Sequence, residues 1–216
     1  MSSRDAILGR IRQSLAGDPP CEEPPVPEVW PEQGLTTQQM AERFATELEA
    51  VSGEIHRAGS TEDARARLAA LLDELSSGKV GVMDRPLCRE LVAGLPAEQL
   101  DWGTPEGEPE AMAELSAAVV EADYLLADTG TGMVACGTPH ERLLCYLPPV
   151  CILVARTDRL REHMPAAWDE IARRTADAEL RGEFVFITGP SRTADIEKIL
   201  ILGVHGPKRL MVMLID

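Results

Sequence analysis

The sequence predicts an α/β protein in which a mostly parallel sheet is flanked by helices. Short, wholly apolar runs such as Val150–Ala155 are typical of strands that are buried on both faces of a sheet. Amphipathic helical patterns alternate with these runs, as they do where helices connect parallel strands. The chain has 216 residues, of which 44% are hydrophobic, which is enough for one large domain with its own core.

The first 35 residues differ in composition from the rest of the chain. Residues 1–16 predict a short amphipathic helix. Its apolar positions recur at helical spacing: Ile7, Leu8, Ile11 and Leu15. Residues 17–35 predict an extended, proline-rich linker, because six prolines fall within eighteen residues. The helix and linker form either a mobile tail or an arm that docks on a partner or a second protomer. The α/β domain should then occupy residues 36–216.

From residue 36 onward, helical and strand patterns alternate. The helical patterns cover residues 36–53, 60–78, 111–122, 141–149 and 157–174, and a last one starts near residue 191 and closes at residue 203. The strand patterns cover residues 54–58, 79–83, 150–155, 183–188 and 209–215, and residues 123–136 predict a two-stranded hairpin. Residues 84–110 are less regular.

The charge of the chain excludes several classes of partner. The net charge is −15, which disfavours nucleic acid and anionic membrane surfaces. Residues 121–216 carry 11 Lys and Arg against 14 Asp and Glu, whereas residues 1–120 carry 10 against 22, so an anionic ligand is expected in the second part.

No apolar run approaches the roughly 20 residues that span a bilayer, and the N-terminus lacks a secretory signal pattern. We therefore expect a cytoplasmic protein.

Cofactor motifs are absent from the sequence. The five cysteines are odd in number and show no CxxC spacing, so neither disulfides nor a zinc or iron-sulfur site is predicted. His140 beside Glu141, and His163 beside Glu162, point in different directions on a helix and predict no metal site. There is no P-loop, and no GxGxxG opens a helix. We expect no metal and no cofactor in this chain.

The stretch GPSRTADIEKILILGVHGPKRL, residues 189–210, follows a predicted strand, where ligands bind in open α/β sheets. Ser191 or Thr193 is expected to cap a helix that Gly203 ends. Arg192 is not explained by capping, because a cation opposes the dipole at a helix start; it is either solvated or directed at an anion. The ligand-binding candidates here are Gly189, Ser191, Arg192, Thr193 and His205. His205 is alternatively a hydrogen-bonded loop residue.

The segment ADTGTG provides a second group of candidates. Its ligand-binding candidates are Thr129, Gly130, Thr131 and Gly132. Alternating Thr and Gly offer hydroxyl and N–H groups to a ligand, but a tight hairpin needs the same residues for its turn. Asp128 could act as an acid or a nucleophile, or it could only close the turn. Asp128 is the one residue that the sequence offers as a candidate for catalysis.

The segments ADTGTG, RLLCYLPPV, GPSRTADIE and LGVHGPKRL together resemble the LUD-domain family, in its lactate-utilisation protein C group. The resemblance covers about residues 36–216. It implies a fold similar to the sugar-phosphate isomerase and CoA-transferase-like (NagB/RpiA/CoA transferase-like) group. It also implies a role in oxidising L-lactate to pyruvate alongside iron-sulfur partner proteins, which would carry the clusters. The family typically has Glu where this chain has Asp128.

Three functions follow from these observations. The chain is expected to be an accessory subunit of a bacterial L-lactate utilisation system. Alternatively, it is a stand-alone enzyme on an anionic metabolite or CoA ester, with Asp128 and Arg192 in its site. A third hypothesis is that the chain is a binding module that senses a small carboxylate without converting it to a product. A homo-oligomer is compatible with each of them.

Overall fold

The structure is a computed structural model. It describes residues 3–16, 29–75, 78–176, 183–193, 201–203 and 205–216. The chain divides into two compact units, residues 1–31 and 32–216. The first unit contains α1 (Ser3–Leu15), on which Ile7, Ile11 and Leu15 are exposed. Most of the predicted proline-rich linker lies outside the described residues, and its predicted boundaries stay predictions.

The second unit contains the remaining described elements. Its helices are α2 (Thr37–Ala50), α3 (Thr61–Glu74), α4 (Pro86–Val92), α5 (Pro109–Ala113), α6 (Pro139–Leu144) and α7 (Trp168–Thr175). Its strands are β1 (Glu54–Ala58), β2 (Val80–Val82), β3 (Leu100–Asp101), β4 (Ala117–Glu121), β5 (Tyr124–Leu126), β6 (Thr131–Ala135), β7 (Val150–Arg156), β8 (Leu160–Arg161), β9 (Phe184–Ile187), β10 (Arg192–Thr193), β11 (Ile201–Leu202) and β12 (Arg209–Ile215). None of the described helices is long and apolar enough to cross a lipid bilayer.

The central sheet has six strands in the order β1-β12-β7-β4-β2-β3. All five pairings are parallel, which confirms the predicted fold class. The middle strands β7 and β12 are buried along nearly their whole length, as their apolar runs predict. The helix predicted from residue 36 begins as expected: the Thr36 hydroxyl accepts a hydrogen bond from the Gln39 N–H at 3.3 Å, and the Gln39 side chain accepts one from the Thr36 N–H at 2.9 Å.

A second, smaller sheet has the order β8-β5-β6-β9. The predicted hairpin is confirmed, since β5 pairs antiparallel with β6, and β9 continues the sheet antiparallel to β6. This sheet has its own small core, with Met133 fully buried at its centre. The strand predicted over residues 183–188 therefore exists, but it belongs to this sheet and not to the parallel one.

Three helix predictions are wrong in whole or in part. Residues 111–122 are helical only in α5, because the following Ala-Ala-Val-Val run is enclosed between β2 and β7 and forms β4. Residues 157–174 begin with a 3-10 turn and β8, and a second 3-10 turn with Pro165 at its start precedes α7. The less regular stretch contains α4 and β3, which the sequence patterns did not indicate.

The helix predicted to start near Ser191 is the third. Residues 192–193 form β10, and β10 pairs antiparallel with β11 at residues 201–202, so the helix neither starts at Thr193 nor runs to Gly203. Residues 194–200 between them lie outside the described residues. Gly203 has the predicted left-handed backbone, with φ +73°, but it follows a strand and does not end a helix.

The strand order defines a switch point in the parallel sheet. From β2 the chain moves outward to β3, whereas from β4 it moves the other way, to β7. Neighbouring β2 and β4 thus have connections that leave in opposite directions, and a crevice opens at their carboxyl ends. In open α/β sheets this is where ligands bind.

Candidate functional site

The two site segments predicted from the sequence meet near the C-terminal end of α2. The hydroxyl oxygens of Thr131 and Thr188 lie 2.7 Å apart. The Thr131 hydroxyl donates to Thr129 Oγ1 at 2.8 Å, and the Thr129 hydroxyl donates to Asp128 Oδ1 at 3.2 Å. A line of hydroxyls therefore connects the end of β9 to the Asp128 carboxylate. We call Asp128–Gly132 and Thr188–Arg192 together the α2-end cluster.

Two glycines of the α2-end cluster allow close approach to α2. A Cβ on Gly130, whose φ is +61°, would lie 2.3 Å from the backbone nitrogen of Leu48. A Cβ on Gly189, whose φ is +78°, would lie 2.8 Å from the carbonyl oxygen of Val51. Packing against the helix therefore explains both glycines, as does their left-handed backbone.

Arg192 does not lie at a helix start. Its guanidinium donates hydrogen bonds to the carbonyl oxygen of Val51 and to Ser52 Oγ, the latter at 3.0 Å. Val51 is the residue that ends α2, so the cation lies at the negative end of a helix dipole. The side chain is exposed, and its remaining N–H groups have no hydrogen-bond partner among the described residues.

Ser191, a member of the α2-end cluster, contacts the loop of residues 203–208 through its backbone. Its N–H donates to the carbonyl oxygen of Pro207 at 2.8 Å, and its carbonyl oxygen accepts from the Gly203 N–H at 2.9 Å. Ser191 is therefore not the predicted helix cap. His205 is exposed in this loop. Gly132 is buried within β6, and Thr193 lies in β10, so the predicted candidates differ widely in access to solvent.

A largely buried ion cluster lies at the switch point, and the sequence patterns did not predict it. Arg85, which follows β2, donates to Asp123 Oδ2 at 2.9 Å and lies 3.4 Å from Glu141 Oε2. Asp123 Oδ2 also accepts from the Ala135 N–H at 2.7 Å. Burial opposes the charge of Arg85, but Asp123 and Glu141 outweigh it and raise the pKa of the guanidinium. We call Arg85, Asp123 and Glu141 the switch-point ion cluster.

The signal for this cluster was present in the sequence. Arg85 comes two residues after the buried strand pattern of residues 79–83, and Asp123 comes two residues after the end of β4. Polar residues at the carboxyl ends of adjacent parallel strands should lie close together. The helix prediction over residues 111–122 hid this relationship.

Two clefts open beside the switch-point ion cluster. One, of about 350 Å³, lies at the ends of β2 and β3, and its lining includes Asp84, Trp102 and His140. The other, of about 150 Å³, lies at the ends of β4 and β7, and its lining includes Arg156 and Arg159. Arg156 also donates to Glu90 at 3.1 Å.

The described cysteines of the second unit lie in its hydrophobic core. The four that the structure describes are buried: Cys88, Cys136, Cys145 and Cys151. Burial raises the pKa of the Cys151 thiol to about 12 and also raises that of Cys88. Among the described residues, no group of three His, Cys, Asp or Glu side chains could hold a metal ion. Cys21 lies outside the described residues.

Relatives cover the whole chain. "Lactate utilization protein C" from Bacillus pumilus is 27% identical over 235 aligned residues, which cover 100% of this chain and 98% of that protein. A protein of the same name from Halalkalibacterium halodurans is 31% identical over 152 residues, which cover 68% of this chain and 66% of that protein. Both relatives are bacterial.

A solved structure and a family match complete the comparison. The crystal structure of a DUF162 family protein from Deinococcus radiodurans is similar in fold, with a TM-score of 0.54 and 17% identity over 84% of this chain and 99% of that one. Residues 41–215 match the family described as the LUD domain. The resemblance seen in the sequence motifs is thereby confirmed, and this chain belongs to the LUD-domain family.

Proposed function

We propose that this chain is a cytoplasmic accessory subunit of a bacterial system that oxidises L-lactate to pyruvate. One observation carries the proposal: the chain aligns from end to end with a protein named lactate utilization protein C. The similarity to the CoA-transferase-like fold group, implied by the motifs, stays a prediction.

The proposal assigns the electron-carrying iron-sulfur clusters to partner proteins. Cys88 and Cys151 lie in the hydrophobic core of the second unit. The proposal gives these two thiols a packing role and leaves the clusters to the partners.

We further propose that the α2-end cluster binds a small carboxylate such as lactate. Arginine N–H groups are the usual partners of carboxylates in proteins. Arg192 is exposed and has N–H groups beyond those that contact Val51 and Ser52. The other candidates from the two segments, Ser191, Thr193, Thr129 and His205, are assigned to the same proposed site.

Rescue of growth tests the proposal directly. A Bacillus pumilus strain that lacks its own lactate utilization protein C would be given this chain and grown on L-lactate as sole carbon source. We expect growth with the wild-type chain, loss of growth with Arg192→Ala, and normal growth with Arg67→Ala, a surface arginine paired with Asp63. If Arg159→Ala abolishes growth while Arg192→Ala does not, the carboxylate site lies at the β4 and β7 cleft.

Partner recovery tests the accessory role. The tagged chain would be isolated from cells grown on lactate, and the copurifying proteins identified by mass spectrometry. We expect iron-sulfur proteins to copurify with the full-length chain. If the N-terminal helix and linker dock the chain on these partners, removal of residues 1–35 should abolish their recovery. Growth rescue without any iron-sulfur partner would instead favour a stand-alone enzyme or a carboxylate sensor.

A further inference from the structure

His140 is buried without a hydrogen-bond partner. It lies in the first turn of α6, is 5% exposed, and neither ring nitrogen has a partner among the described residues. Buried imidazole nitrogens are normally hydrogen-bonded, because an unpaired polar group loses its contacts with water. This residue therefore needs an explanation that packing does not provide.

The loop after β3 covers His140. Gly103 lies against the imidazole, and a Cβ at this position would be 2.1 Å from His140 Cε1. The backbone N–H of His140 donates to the carbonyl oxygen of Pro105 at 3.3 Å. Residues 103–106 are exposed on their outer side. A small displacement of Gly103 would uncover the ring nitrogens.

His140 separates two clefts that share Gly103 and Thr104 as lining residues. The first, of about 350 Å³, is the cleft at the ends of β2 and β3. The second, of about 330 Å³, is lined by the acidic residues Asp101 and Glu108 and by three apolar residues. These apolar residues are Ala111, Met112 and Leu115. Both volumes are within the range of about 300–1,000 Å³ that small-molecule sites have.

The charged residues that line the two clefts favour a cationic ligand over an anionic one. Neither cleft is lined by a lysine or an arginine. Asp101 is 4.0 Å from the ammonium of Lys79, whereas Glu108 has no ion-pair partner among the described residues. An anion would meet these carboxylates, while a cation would be attracted by them. Burial lowers the pKa of His140, so that at neutral pH its ring is uncharged and offers one acceptor nitrogen.

We propose that the cleft between α5 and α6 binds a small organic amine in its ammonium form. The ammonium donates hydrogen bonds to a ring nitrogen of His140 and to the Glu108 carboxylate, and its apolar part packs on Met112 and Leu115. Gly103 moves aside as the ammonium reaches the ring. This ligand differs in charge from the carboxylate of the proposed function, so the two proposals stand independently.

The test uses three probes with the same four-carbon chain: butylammonium chloride, butanol and sodium butyrate. Each is titrated into the full-length chain labelled at histidine, and the ring signals of the four histidines are followed by NMR. The His140 signal is the one that disappears in His140→Gln. We expect butylammonium to shift this signal saturably, and butanol and butyrate to leave it unchanged.

Two variants distinguish binding to the Glu108 carboxylate from a general effect of the negative charge of the chain. Glu108→Gln should weaken butylammonium binding about threefold to tenfold, whereas Glu106→Gln, the same change in the same loop but outside both clefts, should have no effect. Equal binding of butyrate, or no saturable shift of His140 with butylammonium, would overturn the proposal. If His140→Gln does not fold, calorimetry of the Glu108 and Glu106 variants with butylammonium decides the outcome.

Discussion

The guanidinium of Arg192 donates a hydrogen bond to the carbonyl oxygen of Val51, the residue that closes α2. The contact joins two positions 141 residues apart in sequence. It gives Arg192 a structural role at the end of a helix dipole, next to the binding role that we propose for its remaining N–H groups. The two roles can be separated by experiment.

Replacing Arg192 should have a modest effect on folding. We expect Arg192→Ala to lower the free energy of unfolding by about 0.5–1 kcal/mol, because it removes one exposed hydrogen-bonding cation from a helix C-terminus. Urea unfolding of the purified chain measures this, with Arg67→Ala as the surface control. A loss above about 2 kcal/mol would mean that the growth test of Arg192→Ala reports misfolding, not ligand binding.

Gly130 should tolerate no side chain. We expect Gly130→Ala to destabilise the chain by more than about 2 kcal/mol, because the new Cβ clashes with the backbone of Leu48 and the backbone is left-handed. Gly34→Ala is the matched control, since Gly34 has a similar φ of +67° and open space around it. It should cost about 1 kcal/mol. Equal losses for the two variants, measured by urea unfolding, would contradict the close approach to α2.

The switch-point ion cluster should contribute strongly to stability. Asp123→Ala leaves the half-buried Arg85 with only Glu141 as its carboxylate partner, and removing one partner of a largely buried ion pair costs up to about 3–5 kcal/mol. Asp84→Ala, which removes the exposed partner of Arg89, should cost less than about 1 kcal/mol. Thermal and urea unfolding check both values. Similar losses would show that Arg85 is solvated after Asp123 is removed.

Glu162 should make folding sensitive to acid. Its carboxylate accepts hydrogen bonds from the backbone N–H groups of Gln33 and Leu35, each at 2.6 Å. These bonds lower its pKa below the ordinary value of 4.5. Their stabilisation is fully present above the unfolded pKa and is lost as the pH falls through the folded pKa.

The comparison of Glu162→Gln with the wild type tests this dependence. The difference in urea midpoint between the two chains should be largest at neutral pH and should shrink below about pH 4. Glu49→Gln, a substitution on the exposed face of α2, is the control and should show no such trend. A difference that stays constant down to acid pH would contradict the role of the Glu162 charge.

The fold class could be predicted because buried parallel strands leave a strong pattern. Residues 150–155 of β7 have no charged or hydrogen-bonding side chain except a buried thiol, which is typical of a strand covered on both faces. The run that forms β4 was predicted to be helical because Ala-rich segments also suit helices. Its strand conformation depends on its position between β2 and β7 in the sheet. Tertiary context therefore determined the strand that Asp123 follows.

The candidate sites were predictable to different degrees. The threonines and glycines of Asp128–Gly132 were found because turns and binding loops share these residues. That this turn would contact Leu48, or that Arg192 would reach Val51, could not be predicted, because no local pattern encodes contacts between distant segments. His140 was considered only as a metal ligand, since its isolation depends on the backbone of Gly103.

The position of β12 has a consequence for the order of folding. This strand is synthesised after all the other strands in the described part of the chain, yet it lies between β1 and β7 and pairs with both. During translation β1 has no partner in the sheet until residues 209–215 have left the ribosome. The parallel sheet must therefore close late and through contacts of long sequence separation, which are slow to form. Until then, the edge of β7 stays open to pairing with a wrong strand.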